Sequence, residues 1–124
     1  MTVTVLVAED HADNREILCR RLAREKFTVV EAEDGVIAVE AFAAHAPAIV
    51  LMDLAMPRMG GMDAMKAIRA AEAGRAVPII ALTAHAMDSV REECIAAGFD
   101  AFATKPVDFP ALLQTMRALL AARS

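Results

Sequence analysis

Three acids close two apolar runs: Glu9 and Asp10 follow Val3-Thr4-Val5-Leu6-Val7-Ala8, and Asp53 follows Ala48-Ile49-Val50-Leu51-Met52. A further run over residues 77–82 leads to Thr83, and the short run Ala101-Phe102-Ala103 leads to Lys105-Pro106. Such runs are too short for helices and suit strands buried on both faces. A charge at the tip of a buried strand must be paired, solvated or used, because burying it alone is costly. If the strands lie side by side the acids meet, and two unit charges about 4 Å apart repel by on the order of 4 kcal/mol at an effective dielectric near 20. The donors are all oxygens, with no Cys or His at ligand spacing. The cation that suits them is therefore hard: Mg²⁺, which keeps several waters and shares a phosphate.

A carboxylate beside such an ion can attack a phosphoryl group in line, giving an aspartyl phosphate. Asp53 is the best nucleophile, since it stands singly at the end of the most apolar run, whereas Glu9 and Asp10 are adjacent and better placed to hold the metal. Lys105 would neutralise one phosphoryl oxygen as a point charge, and the Thr83 hydroxyl would donate a hydrogen bond to another. The bland alternative is an acidic strand edge hydrated by water.

The intervening sequence supplies the elements that position these groups. After the first strand, residues 13–25 read as a helix with Ile17, Leu18 and Leu22 at helical spacing. Residues 27–32 form a second strand. Asp34-Gly35 punctuates the chain, and Val36, Ile37, Val39, Ala41 and Phe42 continue as a helix that ends before Pro47. The run 48–52 is uniformly apolar, hence central. The segment 56–61 reads as a flexible loop, followed by a third helix that carries Met62, Met65, Ile68 and Arg69 and is closed by Gly74. A strand over 77–82, a helix over 87–97 ending at Gly98 and a short strand over 101–103 come next. Asp108 can cap a fifth helix, with Pro110 harmless in its first turn and Leu112, Leu113, Met116 and Leu119 as its buried stripe. This alternation predicts an α/β fold, a doubly wound five-stranded parallel sheet covered on both faces. Ligands in such folds lie outside the carboxyl ends of the strands, where Glu9, Asp10, Asp53, Thr83 and Lys105 all fall.

With 124 residues, one domain spanning 1–124 is expected, large enough to bury a core without disulfides or metal staples. The hydrophobic fraction of 57% is much of it alanine, and the apolar runs are broken by His45, Pro47, Asp53 and Pro78. No stretch approaches the roughly 18 residues of a membrane span, and the N-terminus lacks a secretion-signal pattern, so the cytoplasm is the expected address. Cys19 and Cys94 lie far apart in helical patterns without CxxC spacing and read as reduced and structural. A net charge of −4 argues against nucleic acid as a direct partner. Only the first helix is basic, Arg15, Arg20, Arg21, Arg24 and Lys26 outnumbering Glu16 and Glu25. That face is either simply solvated or a dock for an acidic partner.

Taken in order, Glu9-Asp10, Asp53 within Met52-Asp53-Leu54-Ala55-Met56-Pro57, Gly61, Thr83-Ala84 and Lys105-Pro106 resemble the receiver domain of two-component response regulators, over the whole chain. The resemblance implies the CheY-like strand order 2-1-3-4-5. It implies that Asp53 accepts a phosphoryl group from a phosphohistidine on a histidine kinase or histidine phosphotransfer protein. Asp10, Asp53 and the Ala55 carbonyl would bind Mg²⁺, with Glu9 acting through water, while Thr83 and Lys105 would contact the phosphoryl oxygens. It also implies a cis Lys105-Pro106 bond, and a switch in which Phe102 turns inward and the face of the fourth helix, fifth strand and fifth helix changes for a downstream protein target. Moving such an equilibrium from 1:99 to 99:1 needs about 5.5 kcal/mol of differential stabilisation. The chain would thus be a signalling switch that assists its own phosphorylation and dephosphorylation, not an enzyme in the ordinary sense.

Some positions vary from the family pattern. Gly60 replaces a common acid, and Ala55 and His85 occupy the two positions that in this family tune the lifetime of the acyl phosphate. His11 is expected in the loop after Asp10, and His45 on the surface at a helix end. The segment 83–87 and Asn14-Arg15 lean toward the receivers of hybrid kinases and phosphorelays. Partner docking is expected on the first helix near Asn14 and Ile17, with Ile17 as ordinary core the alternative. Because Ser124 directly follows the fifth helix, either a free-standing receiver or one cut from a hybrid kinase or longer regulator is expected. Of the rivals, an aspartyl-phosphate hydrolase would need a second acid where Ala55 stands, and a dinucleotide-binding module would need glycines where residues 9–13 are acidic. A receiver-like interaction scaffold without phosphorylation would have no need of the full site.

Overall fold

The computed structural model describes residues 2–85 and 87–123. Strands β1 (Thr4–Ala8), β2 (Thr28–Ala32), β3 (Ile49–Asp53), β4 (Ile79–Thr83) and β5 (Ala101–Thr104) alternate with helices α1 (Ala12–Arg24), α2 (Gly35–His45), α3 (Gly61–Ala70), α4 (Asp88–Ala97) and α5 (Phe109–Arg123). The strands form one parallel sheet in the order β2-β1-β3-β4-β5, as the family resemblance implies.

Successive strand residues point to opposite faces, and the two faces have separate cores. Leu6, Val50, Met52, Ile79 and Ala81 pack against Phe42 of α2, Met65 and Ile68 of α3, and Cys94 of α4. Val5, Val7, Ile49, Leu51, Ile80 and Leu82 pack against Leu18 and Leu22 of α1 and Leu112 and Met116 of α5. Fully burying one such side chain contributes about 1.5–3 kcal/mol. Because β1, β3 and β4 are buried on both sides, they read as unbroken apolar runs rather than alternating ones. Both cysteines are free; Cys94 is buried and Cys19 half-buried. Among the described residues no helix is long and apolar enough to cross a membrane.

Three strands run further than their apolar residues suggest, β5 by the one residue Thr104. Asp53 pairs with Leu82 as the last residue of β3, and Thr83 pairs with Thr104 as the last of β4, so both polar groups sit on the rigid ladder itself. Helix α3 stops at Ala70 rather than at Gly74, because Ala71 is extended (φ −80°, ψ 142°) and a separate 3-10 turn covers Glu72–Gly74. Asp34 and Asp108 cap α2 and α5, accepting from the backbone N–H of Ile37 (2.8 Å) and Ala111 (3.1 Å).

Ile17 is 54% exposed on α1, so its reading as core is wrong: at this spacing Leu18 and Leu22 fill the seam and Ile17 faces out. His11 immediately precedes α1, and His45 ends α2 on the surface. Of the segment 83–87, Ala86 lies outside the described residues.

Candidate functional site

The carboxyl ends of β1, β3, β4 and β5 bring together the residues singled out from the sequence. Glu9 follows β1 and is buried, held by its N–H to the Ala32 carbonyl (3.0 Å). Asp53, also buried, closes β3. Lys105 follows β5, its N–H bonded to the Thr83 carbonyl at 2.8 Å, and the Lys105-Pro106 bond is cis. From there the Lys105 ammonium donates to both Glu9 oxygens (2.8 and 2.9 Å) and to Asp53 Oδ2 (2.6 Å). The other Asp53 oxygen accepts from the Ala55 N–H at 3.0 Å, which fixes the carboxylate plane. Thr83 is buried, and its Oγ1 accepts from the His85 N–H at 3.1 Å.

Burial opposes ionisation of Asp53, but contact with Glu9, the Lys105 ammonium and the Ala55 N–H outweigh it and hold the carboxyl below its ordinary value. Asp53 is thus ionised at neutral pH, as a nucleophile must be. Burial, reinforced by Asp53, pushes Glu9 up to about 7. For Lys105 burial favours the neutral amine, yet Asp53 and Glu9 prevail and raise it.

Glu9, Asp10 and Asp53 each offer an oxygen, all within 4.8 Å of one another, with Asp10 exposed to solvent. The set is purely carboxylate, and three acids against one ammonium leave a formal excess of two negative charges. That chemistry fits a hard divalent cation.

A family model described as the response regulator receiver domain matches residues 5–117. The chain belongs to this family. It is 38% identical over 120 residues to response regulator MprA of Mycobacterium ulcerans, covering 97% of this chain and 51% of that protein. It is 48% identical over 73 residues to Histidine kinase 1 of Arabidopsis thaliana, covering 57% of this chain and only 6% of the kinase. The polar-differentiation response regulator DivK of Brucella ovis is 28% identical over 120 residues, 97% of this chain and 98% of that one. The chain therefore corresponds to a small part of the kinase, about half of MprA and nearly all of DivK. Among solved structures, chemotaxis response regulator CheY4 of Vibrio cholerae superposes with a TM-score of 0.90 at 25% identity, over 96% of this chain and 99% of that one. The receiver domain of Ssk1 of Saccharomyces cerevisiae, solved with the histidine phosphotransfer protein Ypd1, gives 0.85 at 29% identity, over 92% and 86%.

Receiver domains are signalling switches of two-component systems. Phe102 is half-buried, packed against the α2–α3–α4 core and lining a cleft with Ala111 and Thr115 of α5. It is thus neither a sealed core residue nor fully outside. Beside the acidic edge a cavity of about 240 Å³ opens between α1 and the segment 105–109, walled by Glu9, Ile17, Leu18, Lys105, Val107 and Phe109. The basic residues of α1 are partly committed: Arg15 pairs with Glu31 at 3.1 Å and donates to the Glu9 carbonyl at 2.8 Å, Arg20 pairs with Glu16, and Arg21 lies over the Phe109 ring.

Sequence reasoning missed two guanidinium contacts. Arg58, on a loop read as flexible, is paired with Asp34, and Arg69 ties α3 to the turns before β4 and β5. Arginine placed just after a turn proline, and arginine in an otherwise apolar helix stripe, were the available signals.

Proposed function

We propose that this receiver takes a phosphoryl group onto Asp53 from a phosphohistidine and thereby changes the surface it offers to a protein partner. The observation that carries the reading is the shared ammonium: Lys105 lies 2.6 Å from Asp53 Oδ2, where a cation is needed to offset charge on an incoming phosphoryl oxygen. Asp53 attacks phosphorus, the P–N bond to the donor imidazole breaks, and its electron pair leaves with the ring nitrogen. Lys105 then pairs with one phosphoryl oxygen and the Thr83 hydroxyl donates to another. Asp10, Asp53 and the Ala55 carbonyl would hold Mg²⁺, with Glu9 acting through water, and the ion would supply positive charge to the phosphoryl oxygens. As the Thr83 hydroxyl moves toward the phosphoryl group Phe102 turns inward, so the α4–β5–α5 face answers the state of Asp53.

The donor is a histidine kinase or a histidine phosphotransfer protein. Exposed Ile17 beside Asn14, at the mouth of the cavity next to Lys105, offers an apolar anchor for such a helical partner. The chain acts as a single receiver module over residues 1–124, in the cytoplasm, as a switch rather than a turnover enzyme. Ala55 supports the last point, since it carries no acid to serve as a hydrolase's general acid.

Incubation with Mg²⁺ and acetyl phosphate, followed by intact mass measurement, tests the reading. A single added phosphoryl group, absent in Asp53→Ala, is expected. No adduct on the wild type favours an interaction scaffold, and multiple-turnover release of phosphate from small phosphoesters favours a hydrolase.

A further inference from the structure

The segment between β3 and α3 is fastened at both its base and its tip. At the base the Gly61 N–H donates to the Leu54 carbonyl at 3.0 Å. At the tip Arg58 Nε donates to Asp34 Oδ2 (2.9 Å) and the ion pair brings Nη2 to 2.8 Å of the same oxygen, while Asp34 Oδ1 caps α2. The backbone of Met59 lies directly on the first turn of α2, where a Cβ at Gly35 would come within 2.1 Å of the Met59 carbonyl oxygen. Arg58 holds a left-handed φ of 64°, which residues with a Cβ adopt rarely. A residue kept in that backbone conformation, its own side chain 56% exposed but its carboxylate partner only 7%, points to a contact that outweighs the local preference. Between base and tip stands Ala55, whose N–H orients Asp53.

We propose that Arg58 is a positioning residue: by clamping the segment to Asp34 it presents the Ala55 backbone to Asp53 and to the metal. The inference rests on the metal reading given above and deepens it. The clamp acts through geometry, since the guanidinium binds Asp34 rather than any acid of the site. Its sign separates it from a field effect. A positive charge near an acidic site repels Mg²⁺, so through the field alone Arg58→Gln tightens Mg²⁺ binding and Asp34→Asn weakens it. Through the clamp, both weaken it.

The test is calorimetric Mg²⁺ titration of the intact chain and of Arg58→Gln, Asp34→Asn and the double variant, with ¹⁵N NMR of the Ala55 amide. Asparagine keeps an oxygen for the α2 cap, so the helix is preserved. Each single variant is expected to weaken Mg²⁺ roughly tenfold, the range typical of groups that orient metal ligands. The double variant is expected to be no worse than either single one, as for two halves of one contact. The Ala55 amide shifts in all three, and Arg58→Lys, which lacks the planar fork, recovers only part of the affinity. Unchanged or tighter binding in Arg58→Gln overturns the clamp while leaving the metal site intact. A wild-type chain without Mg²⁺ affinity overturns the metal reading and the clamp together.

Discussion

Lys105 and Asp53 are joined at 2.6 Å, and the same ammonium is gripped by both oxygens of buried Glu9. One cation thus holds two carboxylates that the strand ends force together. Lys105→Ala leaves both facing each other, and removing one partner of a buried pair costs about 3–5 kcal/mol. Lys105 is 22% exposed, which places the expected loss at the low end, with a fall in thermal midpoint of roughly 10 °C. Added Mg²⁺ is expected to supply the missing charge and so to raise the midpoint of the variant more than that of the wild type in a calorimetric scan. Equal shifts in both proteins would refute a shared site.

Gly61 and Asp53 are in backbone contact, and a Cβ on Gly61 would come within 2.1 Å of the Asp53 carbonyl oxygen. Gly61→Ala must push the end of β3 aside. Overpacking of this kind costs about 1–3 kcal/mol, and misplacing a reacting group by about 1 Å slows its reaction on the order of a hundredfold. Phosphorylation of Asp53 by acetyl phosphate, followed by mass, is expected to slow accordingly. Gly60→Ala serves as the control, since its Cβ would stand 3.3 Å from the Leu54 carbonyl and needs only a small adjustment.

Asp34 carries a pH dependence whose sign follows from its contacts. The Ile37 N–H, and beyond it the Arg58 guanidinium, hold its carboxyl below the ordinary value against the effect of burial. The unfolded chain therefore takes up the proton first, near pH 4, and stability drops as pH falls through that value toward the folded one. Above about pH 5 the contribution is complete. Urea midpoints measured from pH 3 to 7 are expected to fall less steeply with acid in Asp34→Asn than in wild type; parallel curves would contradict the assignment.

Arg69 gathers the carbonyls of Gly74 (2.9 Å), Gly98 (2.9 Å) and Val77 together with Asp100 (2.7 Å), joining α3 to the approaches of β4 and β5. Arg69→Ala strands several partly buried acceptors, at about 1–3 kcal/mol for each left unsatisfied, so a loss of about 3 kcal/mol is expected in denaturant titration. Arg69→Lys should recover less than half of it, because a point charge cannot reach the same acceptors as a planar fork.

Much of this architecture was legible in the amino-acid order. Unbroken apolar runs separated by helical periodicity require a parallel sheet covered on both faces, since only such a sheet hides both sides of each strand. Asp108 announced its cap by type and position, whereas Asp34 read only as punctuation before the second helix and its cap emerged from the structure. Asp53 and Thr83 were visible as polar residues after apolar runs, but pattern stopped at the last apolar residue, whereas hydrogen bonding carries each strand one residue further. Gly74 misled because a turn glycine also serves a 3-10 turn packed under α3.

Residue type and spacing therefore determined the class of fold, the edge where charges gather and the oxygen chemistry of that edge, because these follow from local periodicity and side-chain functional groups. Only the tertiary structure decided which charge meets which: that Lys105 bridges Glu9 and Asp53, that Ile17 faces out while Leu18 faces in, and that Arg58 reaches Asp34. Each of these depends on distances between segments far apart in the chain, which are set by the sheet order and by how the helices seat on it rather than by any neighbouring residue.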